Sequence, residues 1–536
     1  MPNADKGTTP CGGMMSGPVL MVGFDAMDAT RVGSLLAQGR LPNLAALRDG
    51  GASGQVVQRP DLMRTMVWPA FQTGMPVHER ANPSGRAWVP ERMRFEWGPE
   101  EARIEPFWEQ LDRDCRVIIA DVPFVGRPGP AFRGTALSGW QSIPDRIQLS
   151  SPDSLMGEIA GRFGPRVQTQ ERRGPQTVAS LLGLHREMVA ATEQMGEIGA
   201  WLAARPFDLM ALVIGTTHRS GHYLWDDSQA VDRARMTPAQ RDALTGALDD
   251  VYVAADVALG RILDAAPAGA RVVAFALHGM KRSDGWADRF GDVVALLRGE
   301  GEASAQGRGL AHRLKQALPP DTVRKVAAGM PKAVGDWLAA RASRGSCDWS
   351  RTRFFELPGD TDGYLRLNLK GREALGIVAP GAEADALCAE LAGELLGLRD
   401  LETGEPVVER VDRVDDLVPA GAARRRQLAD LVIRWARRDA VDSIGIRTAG
   451  GRERRWPRHA PIGSGRSGGH VTGGWLTVAG AGVAAGTTLP AVAGQDLAAS
   501  AMHWLGCRLL PGMAGRPIAL PAAQPSRPAV ALRRSA

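Results

Sequence analysis

The sequence predicts an α/β fold, a three-layer α/β/α sandwich with a mostly parallel central sheet and an inserted cap subdomain. Two observations predict this fold class. Short apolar runs recur along the first 285 residues, and segments with helical periodicity separate them. Strands that alternate with helices form a parallel sheet that is covered on both faces. The chain has 536 residues, enough for one large domain of this kind with an embedded subdomain.

Four apolar runs are predicted to be buried strands of this sheet: residues 17–24, 116–121, 209–214 and 271–276. A helix is predicted to begin at Pro42, which suits a first helical turn, and to end at Gly50. A longer helix is predicted from the capping box of Thr237 and Gln240, which apolar residues at helical spacing follow. Strand character returns at residues 475–479.

The alternation of strands and helices weakens after Gly285, and this change predicts the domain organisation. The segment that follows is first helical and basic and then mixes short strands with helices, so we interpret it as an inserted cap. The polar, Gly-rich start of the chain is predicted to be a disordered tail. The predicted regions are 1–16 (N-terminal tail), 17–285 (first part of the core), 286–440 (cap), 441–515 (closing part of the core) and 516–536 (flexible C-terminal tail).

The composition argues against several classes of protein. The formal net charge is +6, but aromatic residues do not alternate with the arginines as in nucleic-acid-binding proteins, so no nucleic-acid partner is expected. No signal peptide and no apolar stretch of about 18 residues is found, which predicts a cytoplasmic protein without a membrane partner. Five scattered cysteines without C-x-x-C spacing argue against a disulfide framework and a thiolate metal site. An exposed sheet edge would allow a homodimer.

Two candidate site residues follow predicted strands or loops near the start of the chain. Asp25 comes directly after the first apolar run, and the carboxyl ends of parallel strands are where α/β sheets bind ligands. A metal ligand and a helix N-cap are both compatible with that position. Thr65 lies at a loop-to-helix junction, where its hydroxyl would be a nucleophile if a metal lowered its pKa. Thr also caps helices, so a role of Thr65 as a helix cap stays open as the alternative.

Four of the nine histidines lie at or near strand ends. His218 and His222 are four residues apart, so one turn of helix or a tight loop would bring both imidazoles to one metal ion. His470 lies in a Gly-rich segment just before a strand, and His278 follows another strand. Three imidazoles with an open fourth position are typical of catalytic zinc. Residues 463–468 match G-x-G-x-x-G, but they do not link a strand to a helix and are not interpreted as a dinucleotide site.

The order of several motifs resembles the alkaline phosphatase superfamily, in particular its type I phosphodiesterase/nucleotide pyrophosphatase branch. The similarity extends over almost the whole chain. The main segments that carry it are Val22-Gly-Phe-Asp25, Trp68-Pro-Ala-Phe-Gln-Thr73-Gly74, Phe275-Ala-Leu277-His278-Gly279-Met280 and Gly469-His470-Val-Thr-Gly-Gly-Trp-Leu. The resemblance implies two divalent metal ions, usually zinc, and a metal-bound Thr or Ser nucleophile that forms a phospho-enzyme.

Carried over to this chain, the resemblance assigns Asp25, Thr65 and His278 to one metal ion. It assigns His218, His222 and His470 to the other. Three positions depart from the family pattern, which usually has Asp in place of both His218 and Leu277 and has the nucleophile at the position of Arg64, one residue before Thr65. Because Leu277 cannot bind a metal, the first site lacks a ligand unless Asp284 or another carboxylate replaces it.

The expected function is that of a metal-dependent hydrolase of phosphate-type esters, a phosphodiesterase more than a phosphomonoesterase, with Thr65 as nucleophile. Its partner would be a small anionic phosphate-ester substrate, and sulfate or phosphonate esters are neighbouring chemistries. The expected cofactor is zinc, as one or two ions, with manganese as the other candidate. The alternative is a catalytically degenerate protein that keeps the fold and binds a ligand or partner, and Leu277 and the shifted Thr65 favour it.

Overall fold

The computed structural model describes residues 17–58, 67–76, 86–97, 105–112, 114–130, 132–142, 148–167, 174–300, 348–359, 361–419, 421–422, 425–436, 439–458 and 463–521. Thr65, the candidate nucleophile, lies outside the described residues, as does the predicted tail 1–16. Most of the predicted tail 516–536 and part of the predicted cap also lie outside them.

The strands of the described residues are β1 Val19–Phe24, β2 Ala52–Val57, β3 Arg86–Val89, β4 Arg94–Trp97, β5 Val117–Ala120, β6 Thr135–Ser138, β7 Leu149–Ser151, β8 Leu209–Ile214, β9 Arg271–Ala276, β10 Gly279–Arg282, β11 Phe354–Leu357, β12 Gly363–Leu367, β13 Arg399–Asp400, β14 Val408–Arg413, β15 Leu431–Trp435, β16 Gly445–Arg447, β17 Glu453–Arg455, β18 Gly468–Val471, β19 Gly474–Ala479, β20 Thr487–Thr488 and β21 Val492–Ala493. The helices are α1 Ala29–Ala37, α2 Pro42–Asp49, α3 Val67–Thr73, α4 Leu155–Phe163, α5 Val178–Ala203, α6 Thr216–Tyr223, α7 Pro238–Ala265, α8 Trp286–Leu297, α9 Ala382–Leu396, α10 Val414–Leu417 and α11 Gly494–Trp504.

The central sheet has the strand order β20-β2-β19-β9-β1-β8-β5-β6-β7, and β21 also pairs with β2. Strands β9, β1, β8, β5 and β6 are parallel, whereas β19 and β7 are antiparallel to their neighbours. Helices α5 and α7 cover one face with a large apolar cluster, and α3 and α11 cover the other. The predicted α/β class with a mostly parallel sheet between two helical layers is thus confirmed.

The predicted strands of the core and both predicted helix starts are confirmed. Helix α7 has the capping box of Thr237 and Gln240 with Pro at its first position. Helix α2 begins at Pro42 and ends at Gly50, and its first N–H groups are bound by the buried carboxylate of Asp256 on α7. A side chain from another helix therefore provides the cap that the local sequence does not supply.

The described residues of the predicted cap region contain the antiparallel sheet β11-β12-β15-β14, which packs with α8 and α9 in an apolar cluster of its own. Ile446 and Trp456 belong to the same cluster, so the name cap is used below for the described residues of 286–458. A smaller sheet, β13-β16-β17, belongs to the same part of the molecule, since Asp400 pairs with Ile446. The hairpin β3-β4 precedes the cap in sequence but also packs on it. The rings of Trp88 and Phe355 have centroids 4.7 Å apart, and Ala374 N–H donates to the Pro90 carbonyl at 3.1 Å.

Two findings concern cysteines and membrane contact. Cys115 and Cys388 are free thiols, whereas Cys507 is disulfide-bonded. The prediction excluded a disulfide framework, and it stays a prediction because Cys11 and Cys347 lie outside the described residues. In the part of the chain that the structure describes, no helix has the length and apolar character needed to cross a bilayer.

Candidate metal centre

Asp25 lies at the carboxyl end of β1, with only 2% of its surface exposed. Its Oδ1 accepts a hydrogen bond from the indole N–H of Trp68 at 2.8 Å, and its Oδ2 lies 3.1 Å from Nδ1 of His218. Trp68 can approach because residue 23 is a glycine. The Cβ of any other residue at that position would come within 3.0 Å of the indole ring. Both carboxylate oxygens of Asp25 therefore have donors within the protein.

Helix α6 follows β8 at once and carries His218 and His222 on one face, one turn apart. Their Nε2 atoms are 3.0 Å apart. Thr217 fixes the start of this helix, because its hydroxyl donates to the Asp25 carbonyl at 2.7 Å. The predicted pairing of these two histidines on one helical turn is what the structure shows, and the turn lies directly beside the end of β1.

His470 reaches the same point from β18, which pairs with β10 in a two-stranded antiparallel ribbon. Its Nε2 lies 3.2 Å from that of His218. The ribbon can sit against α6 because of a glycine: a Cβ on Gly468 would overlap the carbonyl oxygen of Gly221. The Gly468 carbonyl in turn accepts a hydrogen bond from Nδ1 of His222 at 3.0 Å.

The ligand atoms of His218, His222 and His470 lie within 4.8 Å of one another, and they form the one such group of His, Cys, Asp or Glu found among the described residues. Zinc binds imidazole nitrogen at about 2.0–2.1 Å, which places two ligands of a tetrahedral site about 3.3 Å apart. The two Nε2 separations of 3.0 and 3.2 Å are close to that value. The three side chains thus fit a zinc ion in size and in donor type.

Hydrogen bonding assigns the protons of two of these rings. A carbonyl oxygen only accepts, so His222 carries its proton on Nδ1, and the carboxylate of Asp25 likewise holds the proton of His218 on Nδ1. In the neutral rings, both Nε2 atoms then present lone pairs to each other at 3.0 Å. Such an arrangement needs a cation between them, which is either a metal ion or an extra proton.

Burial disfavours a proton on two of the three imidazoles, those of His222 and His470. Burial, reinforced by neighbouring histidines, lowers the pKa of His222 to about 3 and holds the pKa of His470 well below its usual value. Burial alone would raise the pKa of Asp25, but His218, His278 and the Trp68 N–H outweigh it and lower that pKa. His222 and His470 are therefore neutral imidazoles beside an ionised carboxylate near neutral pH, which is the protonation state that a metal requires of these groups.

The residues that the resemblance assigns to the other metal ion are placed differently. His278 is 4% exposed and adjoins the three histidines, with ring centroids 4.8 Å from His470 and 6.4 Å from His218. Leu277 is fully buried in the apolar cluster under α11. Asp284 does not replace it, because one oxygen pairs with Lys281 at 3.1 Å and the other accepts the N–H of Trp286. Thr65 lies outside the described residues, two residues before α3 begins.

Sequence reasoning missed the partners that orient the histidines. Trp68 was part of a quoted motif, but nothing in its sequence context indicated that its N–H binds Asp25. The role of the Gly468 carbonyl was also not predicted, although the dense glycines around His470 are a signal that backbone must approach something closely there. The main departure from the expected arrangement is that Asp25 contacts His218 and does not belong to a separate site. The assignment of Asp25 as a metal ligand stays a prediction.

Several solved structures are similar to the chain. Phosphonoacetate hydrolase from Sinorhizobium meliloti 1021, in complex with phosphonoformate, is 12% identical with a TM-score of 0.48, and the match covers 94% of this chain and 100% of that one. Human ectonucleotide pyrophosphatase/phosphodiesterase 5 is 11% identical with a TM-score of 0.44, covering 92% and 96%. The murine protein is 12% identical with a TM-score of 0.43, covering 92% and 96%.

No protein-family model matches the chain, and no match is found among curated proteins. At identities of 11–12% these similarities assign no substrate to the chain.

Proposed function

We propose that the chain is a metal-dependent hydrolase of phosphate-type esters whose zinc ion is bound by His218, His222 and His470. One observation carries the proposal: three imidazole nitrogens converge from α6 and β18 on one point at the carboxyl edge of the sheet. Imidazole donors suit zinc better than manganese, which prefers oxygen ligands. When bound, the ion would polarise the ester and lower the pKa of a hydroxyl that attacks it.

The chain's own residues have defined parts in this proposal. Asp25 orients His218 and increases its basicity through the hydrogen bond to Nδ1, and the Gly468 carbonyl does the same for His222. Thr65 is the candidate for the attacking hydroxyl. His278 adjoins His470 and is placed to bind a substrate oxygen or to move a proton to it.

A single metal ion is proposed rather than two. Asp25 is engaged by His218 and Trp68, and Leu277 offers no ligand atom, so two of the ligands expected for a second ion are missing or occupied. Metal affinity at a second position would then depend on His278 and Thr65, which is a poor set for a divalent cation.

The charge of such a centre favours monoanionic substrates. Three neutral imidazoles add no charge to a divalent ion, and ionised Asp25 removes one unit, so the net charge of the centre would be about +1. A phosphodiester carries one negative charge near neutral pH, whereas a phosphomonoester carries between one and two, as a phosphorylated side chain does. Phosphodiesters are therefore the proposed substrates, and phosphonate monoesters and sulfate esters share the same single charge.

Metal content and hydrolysis of chromogenic esters test the proposal together. We expect about one zinc per chain in the wild type, much less in His222→Ala, and faster hydrolysis of bis(p-nitrophenyl) phosphate than of p-nitrophenyl phosphate. His503→Ala is the matched control, because His503 is exposed at the end of α11 and should change neither quantity. Faster hydrolysis of the monoester would contradict the charge argument, and a chain that binds no zinc would overturn the proposed function.

The second candidate function is binding without catalysis, and fully buried Leu277 favours it because the family usually has a metal-binding Asp there. The same assay separates the two. A chain that binds zinc through His222 but hydrolyses none of the phosphodiester, phosphomonoester, phosphonate and sulfate substrates would be a binding protein with a structural ion.

A further inference from the structure

Polar contacts join the cap to the core in the described part of the chain. The apolar clusters there separate into two in the core and two in the cap, and the hairpin β3-β4 belongs to the second group. Apart from Trp88, Met93 and Phe95 of the hairpin, the side chains of the two cap clusters all come from residues 286–458, and the two core clusters contain none from that range. An interface held by polar groups permits relative movement of its two sides unless specific contacts fix it.

Arg282 makes the most extensive of these polar contacts. It is the last residue of β10 in the core, and its guanidinium binds three carboxylates from two separate segments. Its Nη1 lies 3.1 Å from Asp439 and 3.0 Å from Asp442, both in the cap, while its Nε lies 3.4 Å from Asp226, which follows α6. Beside it, the Ala440 N–H of the cap donates to the Asp284 carbonyl at 2.6 Å.

The same residue is close to the metal centre along the backbone. Arg282 pairs with Gly468 in the β10-β18 ribbon, and the Gly468 carbonyl is the group that orients His222. Asp226 lies four residues after His222, and its N–H donates to the hydroxyl of Ser467 at 3.3 Å. Arg282 is therefore linked to the parts of the chain that carry the three histidines, through Asp226 just after α6 and through backbone pairing with β18, while its guanidinium also binds the cap.

We propose that Arg282 is a positioning residue that joins the cap to the core, here called the latch. It fixes the position of the cap relative to the candidate metal centre. Its effect on turnover rests on the proposed function, but its effect on the cap does not. A guanidinium is suited to this role because its planar fork binds several carboxylates at once, whereas the ammonium group of a lysine is a single point of charge. Lys281, the neighbouring cation, bonds Asp284 instead and makes no contact with Asp439 or Asp442 in the described structure.

A second polar bridge provides an internal comparison. Asp288, near the start of α8, accepts hydrogen bonds from the N–H and the hydroxyl of Ser464 at 2.8 and 3.0 Å. This bridge fixes α8 and not the segment of Asp439 and Asp442. Loss of the Ser464 hydroxyl should therefore loosen α8 while leaving the Arg282 contacts in place.

Hydrogen exchange of the Ala440 amide reports on the latch directly, because that N–H crosses the junction to Asp284. Networks of partly exposed ion pairs are weak, so we expect exchange at Ala440 to accelerate about fivefold to tenfold in Arg282→Gln. Arg282→Lys should give a smaller acceleration. Arg410→Gln is the matched control, since Arg410 pairs with Asp412 wholly within the cap, and it and Ser464→Ala should leave Ala440 exchange unchanged.

Zinc content and kinetics complete the test. Arg282→Gln should bind as much zinc per chain as the wild type, and its KM for the diester should rise severalfold while kcat changes less, with partial recovery in Arg282→Lys. Unchanged exchange at Ala440 in Arg282→Gln would overturn the latch, even if the enzyme is active. If no ester is hydrolysed by the wild type, accelerated exchange still supports the latch, so the two proposals fail separately.

Discussion

Oδ2 of Asp25 lies 3.1 Å from Nδ1 of His218, so a buried carboxylate at the end of β1 determines which nitrogen of the first histidine faces His222 and His470. The residue that the family resemblance assigns to one metal ion is thereby connected to a ligand of the other. The two halves of the expected bimetallic site are here arranged as one group of three histidines with a carboxylate behind it.

Replacing Asp25 by Asn should weaken zinc binding about 10–100-fold, the usual effect of losing a group that orients a metal-binding histidine. The amide would present an N–H₂ donor to either the Trp68 N–H or the His218 N–H, so both hydrogen bonds cannot be kept. Competition with a chelating indicator measures the affinity. Asp249→Asn is the control, since the half-buried Asp249 pairs with Arg31 and Arg40 and not with the histidines. Two zinc ions in the wild type and one in Asp25→Asn would instead identify Asp25 as a direct ligand.

Gly468→Ala should disrupt the centre, because the new Cβ would overlap the Gly221 carbonyl and push β18 away from α6. Overpacking of this kind costs about 1–3 kcal/mol, and displacement of His470 should also reduce zinc binding. Gly33→Ala is a matched control, since nothing lies within 4 Å of its Cβ on α1, and there alanine should stabilise the helix by about 0.5–1 kcal/mol. Thermal unfolding with and without zinc gives both effects. An unaltered zinc affinity in Gly468→Ala would show that the glycine contact does not position His470.

The zinc-free protein should become less stable as the pH falls from about 6.5 towards 3. The pKa of His222 is lowered to about 3, and that of His470 is also lowered, so in this range the unfolded chain binds protons that the native state does not. Stability contributed by these neutral imidazoles is present above the unfolded pKa and is lost on acidification. Urea unfolding between pH 4 and 7 in the presence of a chelator measures the slope. His222→Asn should have the shallower slope, and equal slopes would contradict the lowered pKa.

Asp121 is expected to be a structural residue, and its replacement by Asn should destabilise the protein by about 1–3 kcal/mol. Its buried carboxylate accepts the N–H groups of Trp140, Gln141 and Ser142 at 2.7–2.8 Å, and an amide cannot accept all three. Burial raises the pKa of Asp121 to about 6 despite these bonds. Its contribution to stability therefore decreases as the pH rises from about 4 to 6, opposite to that of His222. Chemical denaturation at pH 5 and 7 checks both the size and the sign.

The sequence was sufficient to predict the α/β class and the convergence of His218 and His222, because strand ends and one helical turn are local features. His470 was placed with them through the motif resemblance, and the structure brings its Nε2 to 3.2 Å from that of His218. The contact of Trp68 with Asp25 and the packing of Gly468 on Gly221 join residues that are far apart in sequence or separate in the fold. Such contacts depend on how elements pack, which propensity and periodicity do not encode.

The hairpin β3-β4 has a consequence for how the protein is made. Trp88 is synthesised about 270 residues before Phe355, the ring against which it packs, so the apolar face of the hairpin lacks its partner through much of translation. Because long-range contacts of this kind are closed late, assembly of the cap is expected to be among the slower steps of folding. A cap expressed from residue 286 onwards would lack Trp88 and Met93 from its own apolar cluster, and it is therefore not a self-sufficient folding unit.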